Sequence, residues 1–121
     1  MTASVSIVLP YRDSEETLDE CIKSIQAQEL QNWELLAVND NSSDNSESIV
    51  RKYAGKDRRI NSIQSDGTGL VPALNLGIKH SSTPLIARMD ADDRMFPKRL
   101  SSQVRFMESN PNTGLVSCKV E

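Results

Sequence analysis

Little in this chain suits histidine or thiolate chemistry: its 121 residues include one histidine and two cysteines. Cys21 and Cys118 lie far apart and read as reduced, buried thiols, which suits a cytoplasmic setting. His80 follows "LNLGIK" and reads as an exposed residue near a helix C-terminus, not a catalytic group. An excess of charge is also missing. Fourteen Lys and Arg against 17 Asp and Glu leave a net charge of −3, with no basic block, which argues against a nucleic-acid partner held through its phosphates. The longest apolar stretches, such as "VSIVL" and "PLIA", fall far short of the ~20 residues that cross a bilayer. "MTASVSIVLPYRD" lacks the basic leader and full apolar core of a secretory signal. What is present is an ordinary soluble composition, 26% charged and 37% hydrophobic. It fits one domain over residues 1–121, large enough to bury about two-thirds of its unfolded surface.

The pattern along the chain alternates regularly. Apolar runs at 4–10, 33–39, 59–64, 84–89 and 114–120 predict strands, the third nearer a sheet edge because it alternates with polar residues. Helices are expected at 14–28, 45–55, 69–80 and 97–109, where Leu18, Ile22 and Ile25, or Leu70, Leu74 and Ile78, recur at helical spacing. Strand-helix alternation without repeat or linker predicts an α/β, Rossmann-like, mostly parallel sheet flanked by helices. Ligands of such sheets bind outside the carboxyl ends of the strands. The segments after the strands, "PYRDSEE", "NDNSSDNSE", "SDGTG" and "DADDR", therefore read as one surface.

Each has a structural reading and a functional one. Asp13 with Glu16, and Asp44 with Glu47, have the spacing of capping boxes, and helix capping is the expectation for both aspartates. Asp40 directly follows a buried strand while Asp44 is already placed to cap; it suits a ligand, with an Asx-turn as the alternative. Tyr11 either covers the sheet end or stacks on a flat ring such as a nucleobase. "GTG" at 67–69 reads foremost as a plain turn. In "LIARMDADDRMFPKRL", Asp90, Asp92 and Asp93 crowd together, although two like charges about 4 Å apart at an effective dielectric near 20 repel by roughly 4 kcal/mol. Water or a cation must offset that. In extended geometry Asp90 and Asp92 share a face and suit a hard divalent cation that also takes phosphate oxygens. Arg88 should share the face of Asp90 and act as a local counter-charge.

Taken together, "SIVLPYRD", "ELLAVNDNSSDNS", "GLVPALNLGIKHSSTPLIARMDADD" and "FPKRLSSQVRFMESNP" resemble the nucleotide-binding part of a family 2 glycosyltransferase of GT-A fold, ending after its fifth strand. The resemblance implies a nucleotide-diphosphate sugar (UDP- or GDP-sugar) as donor and Mn2+ or Mg2+ as cofactor. It also implies inverting transfer to a hydroxyl of a carbohydrate or lipid-linked acceptor. It places Tyr11 against the base with Pro10 beside it, and Asp40 on the base ring. Asp90-Ala91-Asp92 becomes the DxD motif, with Asp90 near the ribose, Asp92 on the metal and Asp93 in support. Two positions depart from the family: Arg12 stands where asparagine is common, and Asn39 replaces the first aspartate of "DDGS". The general base is expected beyond Glu121. Enzymes of this kind often build polysaccharide or glycolipid, sometimes at the inner face of a membrane.

Three other classes also gather acidic groups at strand ends. A metal-dependent nucleotidyltransferase should carry a Gly-rich basic loop after the first strand, and "PYRDSEE" is acidic without glycine. A phosphorelay receiver fits the tight "DADD" before Pro97 poorly. A non-catalytic nucleotide-binding module stays compatible with these residues.

Overall fold

The computed structural model describes residues 3–110. The strand expected at 114–120, and Cys118 within it, lie outside the described residues. The element order is β1 (Val5–Tyr11), α1 (Leu18–Gln26), β2 (Trp33–Asn39), α2 (Ser46–Lys56), β3 (Ile60–Gln64), α3 (Leu70–His80), β4 (Leu85–Arg88) and α4 (Arg99–Ser109). The strands align as β3-β2-β1-β4, each pair parallel. From β1 the chain steps outward through β2 to β3, and α3 then carries it back to the far side of β1. The strand order therefore reverses at β1 and β4, the switch point where open α/β sheets form a ligand crevice.

β1 is buried along its whole length, as a central strand covered on both faces must be. On one face Ile7, Leu9, Trp33, Leu35 and Ala37 pack with Leu18, Ile22 and Ile25 of α1, Val50 of α2 and Leu100 and Val104 of α4. On the other, α3 lies directly on the sheet at Gly77. A Cβ there would come within 2.5 Å of Val8 Cγ1 and 3.3 Å of Val38 Cγ2, so only glycine permits this approach. At the amino edge, the Arg59 guanidinium sits 3.8 Å from the Trp33 ring centroid and pairs with Asp57 at 2.9 Å. That guanidinium, first through its hydrogen bonds, holds the Asp57 carboxyl down at about 2 despite partial burial.

Pro10 sits inside a central strand, where proline normally breaks a ladder. Its parity resolves this. Val8 has the same parity, and its carbonyl accepts the Met89 N–H at 3.0 Å, so Pro10 also turns its backbone toward β4. The β1–β4 pairing ends at Val8 and Arg88, so the missing N–H of Pro10 falls where no partner strand runs. The proline thereby marks where the gap between β1 and β4 opens.

Element boundaries differ from expectation chiefly at helix starts. α1 begins at Leu18, four residues later than expected, because Ser14 O accepts N–H groups from Thr17 (3.1 Å) and Leu18 (3.0 Å) and closes a separate turn. α4 begins at Arg99 rather than at Pro97. β3 lies at the edge, as its alternation suggested. His80 ends α3 exposed, and Cys21 is buried.

Candidate functional site

Because every described strand runs the same way, Tyr11, Asp40, the 65–69 loop and Asp90–Asp93 all emerge at one edge. Parallel neighbours lie about 4.8 Å apart, so the ends of β2 and β4 stand roughly 10 Å apart with Tyr11 between them.

On the β2 side the rim is closely knit. Asp40 is 7% exposed; its N–H donates to Tyr11 O at 2.8 Å, extending the β1–β2 ladder past the strand. One carboxylate oxygen, Oδ1, accepts the Gly69 N–H at 3.0 Å and Asn41 Nδ2 at 3.3 Å. The turn that brings these donors in needs left-handed backbone at Asn41 (φ 56) and Gly69 (φ 96), and asparagine and glycine are the residues that tolerate it. Asn41 Nδ2 also donates to Gly67 O at 2.9 Å, which fixes the "GTG" loop beside Asp40. The second carboxylate oxygen, Oδ2, has no hydrogen-bond partner among the described residues. Tyr11 is 3% exposed, its ring turned into the face under α1 and α2, so no stacking face lies open at the rim. Among the described residues its phenol finds no partner, and burial first, then the Glu47 charge, pushes it upward.

Asp13 overturns the capping expectation, and Asp44 meets it in part. Both helices start without a side-chain cap, at Thr17 and Asn45. Asp13 instead adopts φ 47 and reaches across to the Ser43 N–H at 2.7 Å, while its own N–H donates to Ser42 Oγ at 3.0 Å. Asp44 accepts from Ser46 N–H at 2.9 Å and from Glu15 N–H at 3.2 Å, and Glu15 returns a bond to Asn45 N–H at 3.1 Å. The aspartates thus zip the loop after β1 to the loop after β2. At Asp13 local spacing suggested a cap, and a contact thirty positions along the chain claimed the side chain instead; Asp44 keeps one oxygen on the first N–H of α2 and gives the other to Glu15.

On the β4 side, extended geometry stops at Arg88. Asp93 N–H donates to Asp90 O at 3.1 Å, so Asp90–Asp93 forms a turn rather than a continuing strand. The alternation that would have aligned Asp90 with Asp92 does not hold. Arg88 does meet Asp90, at 3.3 Å, with both side chains 52% exposed. Ala91 is buried and seats the turn; Asp92 and Asp93 are exposed. Below the turn, Cys21 Sγ lies 3.7 Å from Asp90 O. Burial, reinforced by the charges of Asp93, Asp92 and Asp90, pushes this thiol up to about 12, so it stays protonated and inert.

Sequence reasoning missed the residue that anchors this turn. Gln28, 1% exposed, shares its Nε2 hydrogens among Phe96 O (2.6 Å), Met95 O (3.2 Å) and Ser24 O (3.2 Å), and its Oε1 accepts the Leu100 N–H at 3.1 Å. Ser24 Oγ takes the Met95 N–H at 2.8 Å. The end of α1 thereby holds the whole lead from the acidic turn into α4. A polar residue just beyond an amphipathic helix gives no local sign of such a role.

Among the described residues no three His, Cys, Asp or Glu side chains converge on a ready-made cation cage. The donor chemistry nevertheless fits Mg2+ or Mn2+. The Asp92 carboxylate is exposed and enters no hydrogen bond or ion pair among the described residues. These ions commonly take one or two carboxylates and fill their remaining positions with water and substrate phosphate.

Comparison with known proteins sets this geometry in a family. The chain is 39% identical over 108 residues to EpsE of Bacillus subtilis (strain 168), which carries a glycosyltransferase name. It is 35% identical over 107 residues to the Escherichia coli UDP-Glc:alpha-D-GlcNAc-diphosphoundecaprenol beta-1,3-glucosyltransferase WfgD. These alignments take in 88% of this chain but only 39% and 42% of those proteins, so it spans about two-fifths of their length. The fold matches the Pyrobaculum calidifontis mannosyltransferase PcManGT, solved with GDP-Man and Mn2+, at a TM-score of 0.87 with 23% identity over 100% of this chain and 36% of that one. It matches S. aureus TarS, solved with UDP, at 0.81 with 23% identity over 89% of this chain and 33% of that one. With the sheet of Rossmann-like GT-A type and the model for "Glycosyl transferase family 2" matching residues 6–120, the chain belongs to glycosyl transferase family 2.

Proposed function

We propose that this chain forms the donor-binding part of a glycosyltransferase that takes a nucleotide-diphosphate sugar and passes the sugar to a hydroxyl acceptor with inversion. The observation that carries the reading is the pair of carboxylates flanking the Pro10 gap. Asp40 keeps one oxygen without a partner on the β2 side, and Asp92 stands exposed on the β4 side. Their separation suits a ligand with a base at one end and a diphosphate at the other.

An ionised carboxylate only accepts hydrogen bonds. Asp40 therefore favours a base that presents a ring N–H, uracil at N3 or guanine at N1, over cytosine or adenine, which present a lone pair there. Tyr11 carries Asp40 on its carbonyl, so its part at the base side is through its backbone, with Pro10 leaving the gap beside it clear. Asp90, partly neutralised by Arg88, lies toward the ribose; Ala91 anchors the turn that presents Asp92. Asp92 would hold Mn2+ or Mg2+, with Asp93 in support. When bound, that cation supplies charge neutralisation for the departing diphosphate.

No rim aspartate is assigned as general base; we place that carboxylate beyond residue 121, on the acceptor side. The acceptor is proposed to be a carbohydrate or a lipid-linked sugar. Among the described residues no helix is long and apolar enough to cross a membrane.

Titration calorimetry with UDP- and GDP-sugars tests the reading. Binding is expected to require Mn2+ or Mg2+, and Asp92→Ala is expected to abolish it without lowering the unfolding temperature. Equal affinity with and without metal would refute the cation's role. Metal-dependent binding without transfer in the full-length protein would favour a non-catalytic module.

A further inference from the structure

The family resemblance sets an aspartate where this chain has Asn39, and the structure supplies a reason for the exchange. Asn39 ends β2 at 4% exposure, and its side chain is fully engaged. Nδ2 donates to Glu47 Oε2 of α2 at 3.2 Å and to Gln64 Oε1 of β3 at 3.0 Å, while Oδ1 accepts the Ser42 N–H at 3.0 Å. Gln64 passes the connection on through Nε2 to Asn41 Oδ1 at 3.3 Å, and Asn41 Nδ2 reaches Asp40 Oδ1 at 3.3 Å. One amide therefore ties the end of β2, the turn after it, the first turn of α2 and the end of β3 together, one residue before Asp40.

We propose that Asn39 is a positioning residue: paired with Glu47, its amide holds the loop that presents the Asp40 carboxylate to the base of a nucleotide. This rests on the nucleotide-binding reading above and deepens it. The identity of residue 39 is set by its neighbours. An aspartate there would turn two acceptors toward Glu47 and Gln64, and two carboxylates in hydrogen-bond range repel, which strongly raises the pKa of one of them. The other charged or titratable groups around the pair are Arg51, whose Nη2 lies 3.6 Å from Glu47 Oε1, Asp44 before α2, the Tyr11 phenol on β1 and Asp40 itself. β3 contributes only the uncharged Gln64. Arg51 is exposed on the solvent side of Glu47 and is too weak a counter-charge to absorb a second buried carboxylate.

The test is titration of the intact chain with UDP and GDP in Mn2+ at two pH values, each variant compared with the native chain at the same pH. N39D is expected to bind at least about tenfold more weakly at pH 8, where both carboxylates are charged and push apart. It should recover to within about threefold at pH 5.5, because the coupled pair holds a shared proton below its raised pKa. In N39D/E47Q the glutamine amide donates to the new carboxylate, so affinity at pH 8 should return and the pH dependence should vanish. E47Q alone replaces a charged acceptor with a neutral amide, so it should weaken binding modestly and without pH dependence. An N39D defect that ignores pH and is not rescued by E47Q overturns the proposal, while native binding leaves the nucleotide reading standing. If the native chain binds neither UDP nor GDP, that reading itself falls. Should N39D fail to fold at pH 8, the double variant carries the test alone: native-like binding supports the pairing, and a folded double variant that does not bind overturns it.

Discussion

The two ends of the rim are built in opposite ways. On the β2 side, Asp40 is almost wholly buried, hydrogen-bonded to the loop after β3 and backed by the Asn39 network. On the β4 side, Asp92 and Asp93 stand in solvent, and the ion pair of Arg88 with Asp90 is half exposed on both partners. Hydrogen bonding of a buried carboxylate fixes its direction before any ligand arrives, whereas exposed carboxylates keep their rotamer freedom and their hydration. On the proposed reading, the difference suits what each end would meet. A flat base with fixed donors rewards a preset acceptor, while a hydrated cation with a diphosphate rewards ligands that adjust.

The sharpest way to break this contrast is at Gly69. Its φ of +96 is a conformation that glycine alone adopts easily, and its N–H holds Asp40 Oδ1. Gly69→Val should cost about 1–3 kcal/mol through backbone strain and release Asp40 from its donor. The affinity for free uridine or guanosine should fall at least about tenfold, a loss worth roughly 1.4 kcal/mol or more. Metal alone should bind as before, since the β4 side is untouched. Equal losses of nucleoside and metal binding would show that the two ends act as one unit, and the contrast would be wrong.

Much of this was legible in the sequence, and the failures share a cause. Apolar runs in alternation with helical spacing fixed the order and type of every described element, because burial on both faces of a parallel sheet leaves a continuous apolar signature, as in "VSIVL" and "WELLAVN". Asp40 stood out because a polar residue directly after a buried strand needs an explanation. Asp13 was misread, since capping boxes are local patterns and its actual partner is Ser43, on another loop. The face shared by Asp90 and Asp92 failed for the same reason: whether a strand continues depends on its neighbour, and β1 offers no partner beyond Val8. Gln28 was invisible because all its partners but Ser24 lie 67 to 72 positions away and meet only after the sheet is built.

Gln28 gives the second way to sharpen the contrast. The β4 rim is open at its tip but anchored at its base, and this buried amide makes most of the anchoring bonds to residues 95–100. Gln28→Leu keeps the volume and removes every partner, leaving the Leu100 N–H and the Phe96 and Met95 carbonyls unmet. The expected loss is about 1–3 kcal/mol, read from the urea midpoint. Metal-dependent nucleotide affinity should fall with it, while nucleoside affinity on the Asp40 side stays level. A chain that loses stability yet keeps its metal affinity would mean that Asp92 needs no anchored turn.

The smallest effect is expected at Arg88, and its smallness is informative. Its guanidinium reaches Asp90 at 3.3 Å while both side chains stay half in water, so the pair gains little from Coulomb attraction and is screened by salt. Arg88→Gln should change unfolding free energy by no more than about 0.5 kcal/mol. Removing the positive charge also leaves the acidic turn more negative, so Mn2+ affinity should rise slightly at low ionic strength and return to the native value near physiological salt, where screening covers the distance. A large stability loss, or a gain in metal affinity that salt does not erase, would place Asp90 in a preset site like that of Asp40. The two ends of the rim would then be built alike.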